Sequence, residues 1–223
     1  SFADGEKSDI DGHWAEDALK YLIDEGVLNG YEDGTIRPER KIKRAEFVKI
    51  INEVMGYSEL GQVDFDDVKE SNWFYEEIAK AVKAGYIKGY DDNTVRPNNE
   101  ITRQEASLII ARVFEIEEVD EIEDDFKDAS KIGKWAKAAV NALKEKGYIN
   151  GYEDGTFRPQ NSITRAEAAT IIVNILEDRQ ADEKKDTQAP ELVYEGETEI
   201  RVEYGAEFTL PEVTATDNVD EEV

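Results

Sequence analysis

Three arginines hold the same place in a recurring block: Arg44 in IKRAEF, Arg103 in ITRQEA and Arg165 in ITRAEA. A guanidinium stays charged at any physiological pH, and its planar fork matches a carboxylate with two hydrogen bonds. Each arginine precedes an apolar stripe, which places it in the first turn of a helix. Backbone N–H groups and the positive end of the helix dipole lie there, so the position suits an anion. Lys43 adds a second cation in the first block. The alternative is that each arginine pairs with a local carboxylate, such as the aspartate of the turn before it. A duplicated structural pair would repeat in the same way.

Other chemistries have little to stand on. There is no cysteine, which removes disulfides, thiolate metal sites and cysteine nucleophiles. The one histidine, His13, sits beside Trp14 at an expected helix start. Carboxylates are abundant, but nothing singles out a pair spaced for glycoside hydrolysis. A site repeated three times favours multivalent holding over a single reaction centre, so no enzymatic activity, cofactor or metal site is expected. The acidic turns lack the alternating ligands and final glutamate of an EF-hand. Asp217, Asn218 and Asp220 are candidates for a cation site in a longer second domain. The net charge of −26 and pI near 4.3 repel phosphate backbones and anionic lipid, which argues against nucleic-acid or membrane partners.

These arginines belong to a longer repeat. GYEDGTIRP at 30–38 recurs as GYDDNTVRP at 89–97 and GYEDGTFRP at 151–159. Trp14, Trp73 and Trp135 share the spacing, as do Gly26, Gly85 and Gly147, and an aspartate-linked phenylalanine introduces each copy: Phe2, Phe65 and Phe126. Each unit reads as helix, turn, helix. The first helix starts near the tryptophan, runs about twelve residues and stops at the glycine, a left-handed cap. Asp-Gly or Asp-Asn and the proline make the turn, where Arg37, Arg96 and Arg158 are placed to pin it. The second helix carries an i, i+3, i+4, i+7 stripe: Phe47, Ile50, Ile51, Val54; Ala106, Ile109, Ile110, Val113; Ala168, Ile171, Ile172, Ile175. Three such stripes in one chain predict a central three-helix bundle of approximate threefold symmetry. Thr102 with Glu105 and Thr164 with Glu167 form capping boxes, whereas Lys43 forfeits the side-chain cap at the cost of about 1 kcal/mol.

The reading divides the chain into repeats at 1–60, 61–120 and 121–177, a charged linker at 178–188, and a β-rich segment at 189–223. LVYEG, EIRVEYG and EFTLPEV carry strand signals, but ~35 residues are too few to close a sandwich. There is no membrane-length apolar run. No signal peptide is recognised, and Ser-Phe-Ala-Asp reads as a trimmed N-terminus.

The Trp-Ala helix, the GY-x-DGT-x-RP turn and the TRAE block, three times over residues 1 to about 177, resemble the S-layer homology family. Departures are Lys43 for Thr, Gln104 for Ala and Asn93 for Gly. The resemblance implies a mainly α, three-pronged fold with grooves between neighbouring copies, secreted to the cell wall or S-layer. It implies non-covalent binding of an anionic, pyruvylated secondary cell-wall polysaccharide. The residues carried over as binding are Arg44, Arg103 and Arg165, with Lys43, Thr102 and Thr164 beside them. The tryptophans are expected to pack prong against bundle, an edge being free to stack on sugar. The tail is similar to the first strands of a bacterial immunoglobulin-like domain. A self-assembly element pairing with other copies in a lattice is the competing reading.

Overall fold

The computed structural model describes residues 8–122, 125–185, 191–193 and 214–216. The chain divides into two compact units, residues 1–175 and 176–223. The first is helical, with no strand among its described residues: α1 (Glu16–Asp24), α2 (Arg44–Met55), α3 (Tyr75–Lys83), α4 (Arg103–Val113), α5 (Lys134–Glu145) and the start of α6 (Arg165–Lys185).

The expected glycines end the first helices. Gly26, Gly85 and Gly147 have φ of 73°, 83° and 75°, a conformation that costs a side-chain-bearing residue strain. The amide of Gly26 donates to Ile23 and that of Val27 to Leu22, the paired bonds of a Schellman closure. The helices are nine, nine and twelve residues long, so two are shorter than expected. The second-helix stripes are buried, except that Val54 is partly exposed.

The three second helices meet at their starts. Ile101 N–H donates to Ile42, Ile163 N–H to Ile101, and Ile42 N–H to Ile163, each at 3.0 Å. All three side chains are fully buried. This closed ring is the threefold element of the unit. Lengthwise packing takes a different course from a bundle of second helices: α2 packs on α3, and α4 on α5. The second helix of one copy therefore lies against the first helix of the next.

Helix α6 continues through 178–185, the first part of the expected linker. Glu, Lys, Arg, Gln and Ala there favour helix, and no breaker intervenes before Pro190. The second unit holds the end of this helix and two short antiparallel strands, β1 (Glu191–Val193) and β2 (Thr214–Thr216). The rest of the expected immunoglobulin-like segment lies outside the described residues, as do Asp217, Asn218 and Asp220. Phe2 lies outside them too. Phe65 and Phe126 stand two residues before Asp67 and Asp128, and the same spacing before Asp9 falls on Lys7.

Candidate functional site

Each turn is locked by its own side chains. Asp33 accepts from the amide (3.0 Å) and hydroxyl (2.6 Å) of Thr35, and Arg37 Nη2 donates to it at 2.7 Å. Arg37 also lies 4.1 Å over the Tyr31 ring. Arg96 over Tyr90 and Arg158 over Tyr152 repeat the arrangement. These arginines hold left-handed φ near 55°, strain that the pairing offsets. The Thr156 hydroxyl, then Arg158, hold Asp154 down at about 2. Sequence reasoning missed the second clamp. Asp9 accepts from the amides of Ile36 (2.8 Å) and Arg37 (2.6 Å), and Asp67 and Asp128 do the same in their copies. The signal was an aspartate at nearly constant distance ahead of each turn.

The helix-start arginines reach forward into the next copy. Arg44 Nε donates to the carbonyl of Val95 at 2.9 Å, and its Nη1 lies 3.2 Å from Glu105 Oε1. Arg103 repeats this with Phe157 (2.8 Å) and Glu167 (2.9 Å). Both are buried, 8% and 5% exposed. The carboxylate partner is thus the capping glutamate of the following copy, and the aspartate of the arginine's own turn belongs to Arg37, Arg96 or Arg158. Glu105 also accepts from Tyr90 Oη at 2.6 Å and from the Thr102 amide at 2.9 Å. Burial opposes its ionisation, but Tyr90, the cap and Arg44 together hold it below the ordinary range. Burial and then Glu105 push the Tyr90 hydroxyl up to about 12.

The expectation of open helix-start amides is corrected. Arg44 and Ala45 N–H donate to the carbonyls of Asn99 and Pro97, Arg103 and Gln104 to those of Asn161 and Pro159, and Arg165 and Ala166 to those of Arg40 and Pro38. These donors join copies. Thr102 and Thr164 cap their helices through Glu105 N–H (3.4 Å) and Glu167 N–H (3.1 Å). Lys43 keeps only the reciprocal half, its amide donating to Glu46 at 3.1 Å.

The third junction departs from the pattern. Glu46, the counterpart of Glu105 and Glu167, pairs with Arg40 at 3.1 Å. Arg165, 7% exposed, keeps one bond, Nη2 to the Asn29 carbonyl at 2.8 Å. Among the described residues its Nε and the Tyr31 hydroxyl are buried without partners.

Trp14, Trp73 and Trp135 are 63%, 59% and 53% exposed, so they do not pack prong against bundle. Instead, Trp135 of the third copy faces a groove of about 370 Å³ with Arg44, Gly89, Tyr90 and Glu105. Trp14 of the first copy faces one of about 440 Å³ with Arg103, Gly151, Tyr152 and Glu167. An indole beside arginine, tyrosine and carboxylate suits a sugar, whose apolar face stacks on an aromatic ring and whose hydroxyls take polar groups. His13 caps locally, accepting from Ala15 N–H at 3.1 Å and pairing with Glu39 at 2.8 Å. Among the described residues no cluster of His, Asp or Glu is placed to hold a metal ion, and no helix is long and apolar enough to cross a membrane.

The family described as S-layer homology domain matches residues 8–48, 64–107 and 125–169. The chain is 36% identical over 159 residues to a cellulosome-anchoring protein of Acetivibrio thermocellus, covering 67% of this chain and 35% of that protein. It is 32% identical over 176 residues to a surface-layer 125 kDa protein of Lysinibacillus sphaericus, covering 78% and 15%. It is 35% identical over 175 residues to the exoglucanase XynX of Acetivibrio thermocellus, covering 76% and 16%. The chain spans about a third or less of the length of these relatives.

Proposed function

The chain belongs to the S-layer homology domain family, and from that premise we propose that residues 1–177, as repeats 1–60, 61–120 and 121–177, are a non-catalytic anchor. They hold a secreted surface protein on the cell wall by binding a secondary wall polysaccharide in grooves between copies. What an anchoring protein, a surface-layer protein and an exoglucanase have in common with this chain is the repeat region, and attachment is a task all three can share. The isoleucine ring, with α2 against α3 and α4 against α5, supports a three-pronged arrangement of these residues.

The observation that carries the reading is the pairing in each groove of an exposed tryptophan from one copy with a buried arginine and a tyrosine from others. In this reading Arg44, Arg103 and Arg165 meet an anionic, pyruvylated wall polysaccharide with their remaining N–H groups, and Lys43, Thr102 and Thr164 shape the helix start beside them. The weak contacts of separate grooves combine along one polymer into long residence.

Co-sedimentation with purified wall sacculi tests this. Binding is expected to vanish when the secondary polymer is stripped, to weaken when its ketals are removed by mild acid, and to fall in a Trp14→Ala, Trp135→Ala variant. Equal sedimentation with stripped sacculi would refute polymer binding. Retention by stripped sacculi together with oligomers in free solution would favour lattice self-association.

A further inference from the structure

The two grooves share a design but differ in charge. Around the Trp135 groove stand three cations, Arg44, Lys88 and Arg112, with one carboxylate, Glu105. Around the Trp14 groove stand one cation, Arg103, and three carboxylates, Glu39, Glu153 and Glu167. Glu153 lies in the repeated turn, where the second copy has the equally acidic Asp91, so the contrast in charge rests on positions outside the repeated motifs. Lys88 takes the place of Asn150, one residue before the turn glycine, and Arg112 that of Asn174, nine residues after the helix-start arginine.

Arg44 is already matched by Glu105 and the Val95 carbonyl. Lys88 and Arg112 are exposed and make no ion pair among the described residues. Their charge is therefore left for a ligand. At physiological salt the screening length is about 8 Å, so carboxylates farther than this from the two cations are largely screened from a ligand beside them. In the other groove asparagines stand at both positions, and His13 holds Glu39 at the rim.

We propose that the Trp135 groove selects the carboxylate-bearing sugar of the wall polysaccharide through Lys88 and Arg112, and that the Trp14 groove takes an uncharged sugar of the same chain. This rests on the anchoring reading above and makes Lys88 and Arg112 the residues that set specificity. The carboxylate, whether on a ketal or as a uronate, sits between the two cations, while the sugar ring stacks on the indole.

The test uses the indole N–H signals of Trp14, Trp73 and Trp135 in the ¹⁵N-labelled full chain, assigned from single Trp→Phe variants. Three probes are titrated: the methyl glycoside of a pyruvylated N-acetylhexosamine, its methyl ester, and a methyl hexuronide. At least one free carboxylate probe is expected to move Trp135 with about tenfold tighter affinity than Trp14, which a 1.4 kcal/mol difference provides. Which acid does so identifies the carboxylate source. The ester is expected to lose the preference. A Lys88→Asn, Arg112→Asn variant, with all its other signals in place, is expected to bind the acid at Trp135 about tenfold more weakly, with Trp14 unchanged. Affinity within about twofold of the parent in that variant, or an acid that moves Trp14 first, overturns the proposal. Equal response of the two indoles sinks the charge assignment but leaves sugar binding standing. No response at either indole to any probe sinks both.

Discussion

Arg44 opens α2 in the first copy, and its Nη1 lies 3.2 Å from Oε1 of Glu105, the residue that caps α4 in the second. One carboxylate therefore caps the start of a helix, orients Tyr90 and ties two copies together. The same triple duty falls to Glu167 with Arg103 and Tyr152.

Arg103→Ala is expected to destabilise the first unit by about 3 kcal/mol, because it strands Glu167 in a buried setting where its side chain is 14% exposed. Urea denaturation followed by tryptophan fluorescence measures this. A loss below about 0.5 kcal/mol would mean that the pair contributes nothing to cohesion between copies. Arginine-to-alanine variants are consequently poor probes of ligand contact on their own.

Arg40→Asn is expected to raise the melting temperature by about 2 °C. Asn99 and Asn161 occupy this position in the other copies, and removing Arg40 frees Glu46 to pair with Arg165. A lower melting temperature would show that the Arg40–Glu46 pair matters more than the unpartnered Arg165 Nε.

Lys43→Thr is expected to complete the capping box of α2 and to stabilise by about 1 kcal/mol. The readout is the same denaturation curve. No change would indicate that the bond of the Lys43 amide to Glu46 already satisfies the helix start.

Acid is expected to loosen the junctions. Glu105 and Glu167 ionise more readily folded than at their ordinary 4.5, so their contribution is complete above that value and is lost as pH falls below it. A Glu105→Gln, Glu167→Gln variant is expected to be less stable at pH 7 and to show a flatter loss of stability below pH 4.5. Parallel curves for parent and variant would place the acid sensitivity elsewhere.

Much of this was legible in the residues themselves. Spacing located the second helices and their stripes, the glycine stops and the capping boxes, because these are local matters of period and backbone geometry. What spacing leaves open is the address of a contact. Glu105 is equally a helix cap and a partner for Arg44, and only the closed ring decides that a side chain of one copy ends in the next. For the same reason spacing does not decide between packing a tryptophan against the bundle and presenting it to a groove. A large aromatic ring favours burial on average, and the exposure of Trp14 and Trp135 goes with grooves that two other copies build. Arg40 was missed because it stands outside the repeated blocks, yet it changes the partner of Arg165.

The isoleucine ring has a consequence for how such repeats can be counted. Each of Ile42, Ile101 and Ile163 gives one hydrogen bond and receives one, so the circuit has no loose end and admits no fourth member. A stacked repeat array grows or shrinks by single units; this one does not. Deleting one copy would leave a donor and an acceptor stranded in the core. Moving the first copy behind the third, by contrast, would leave the donor and acceptor of every ring bond in the chain.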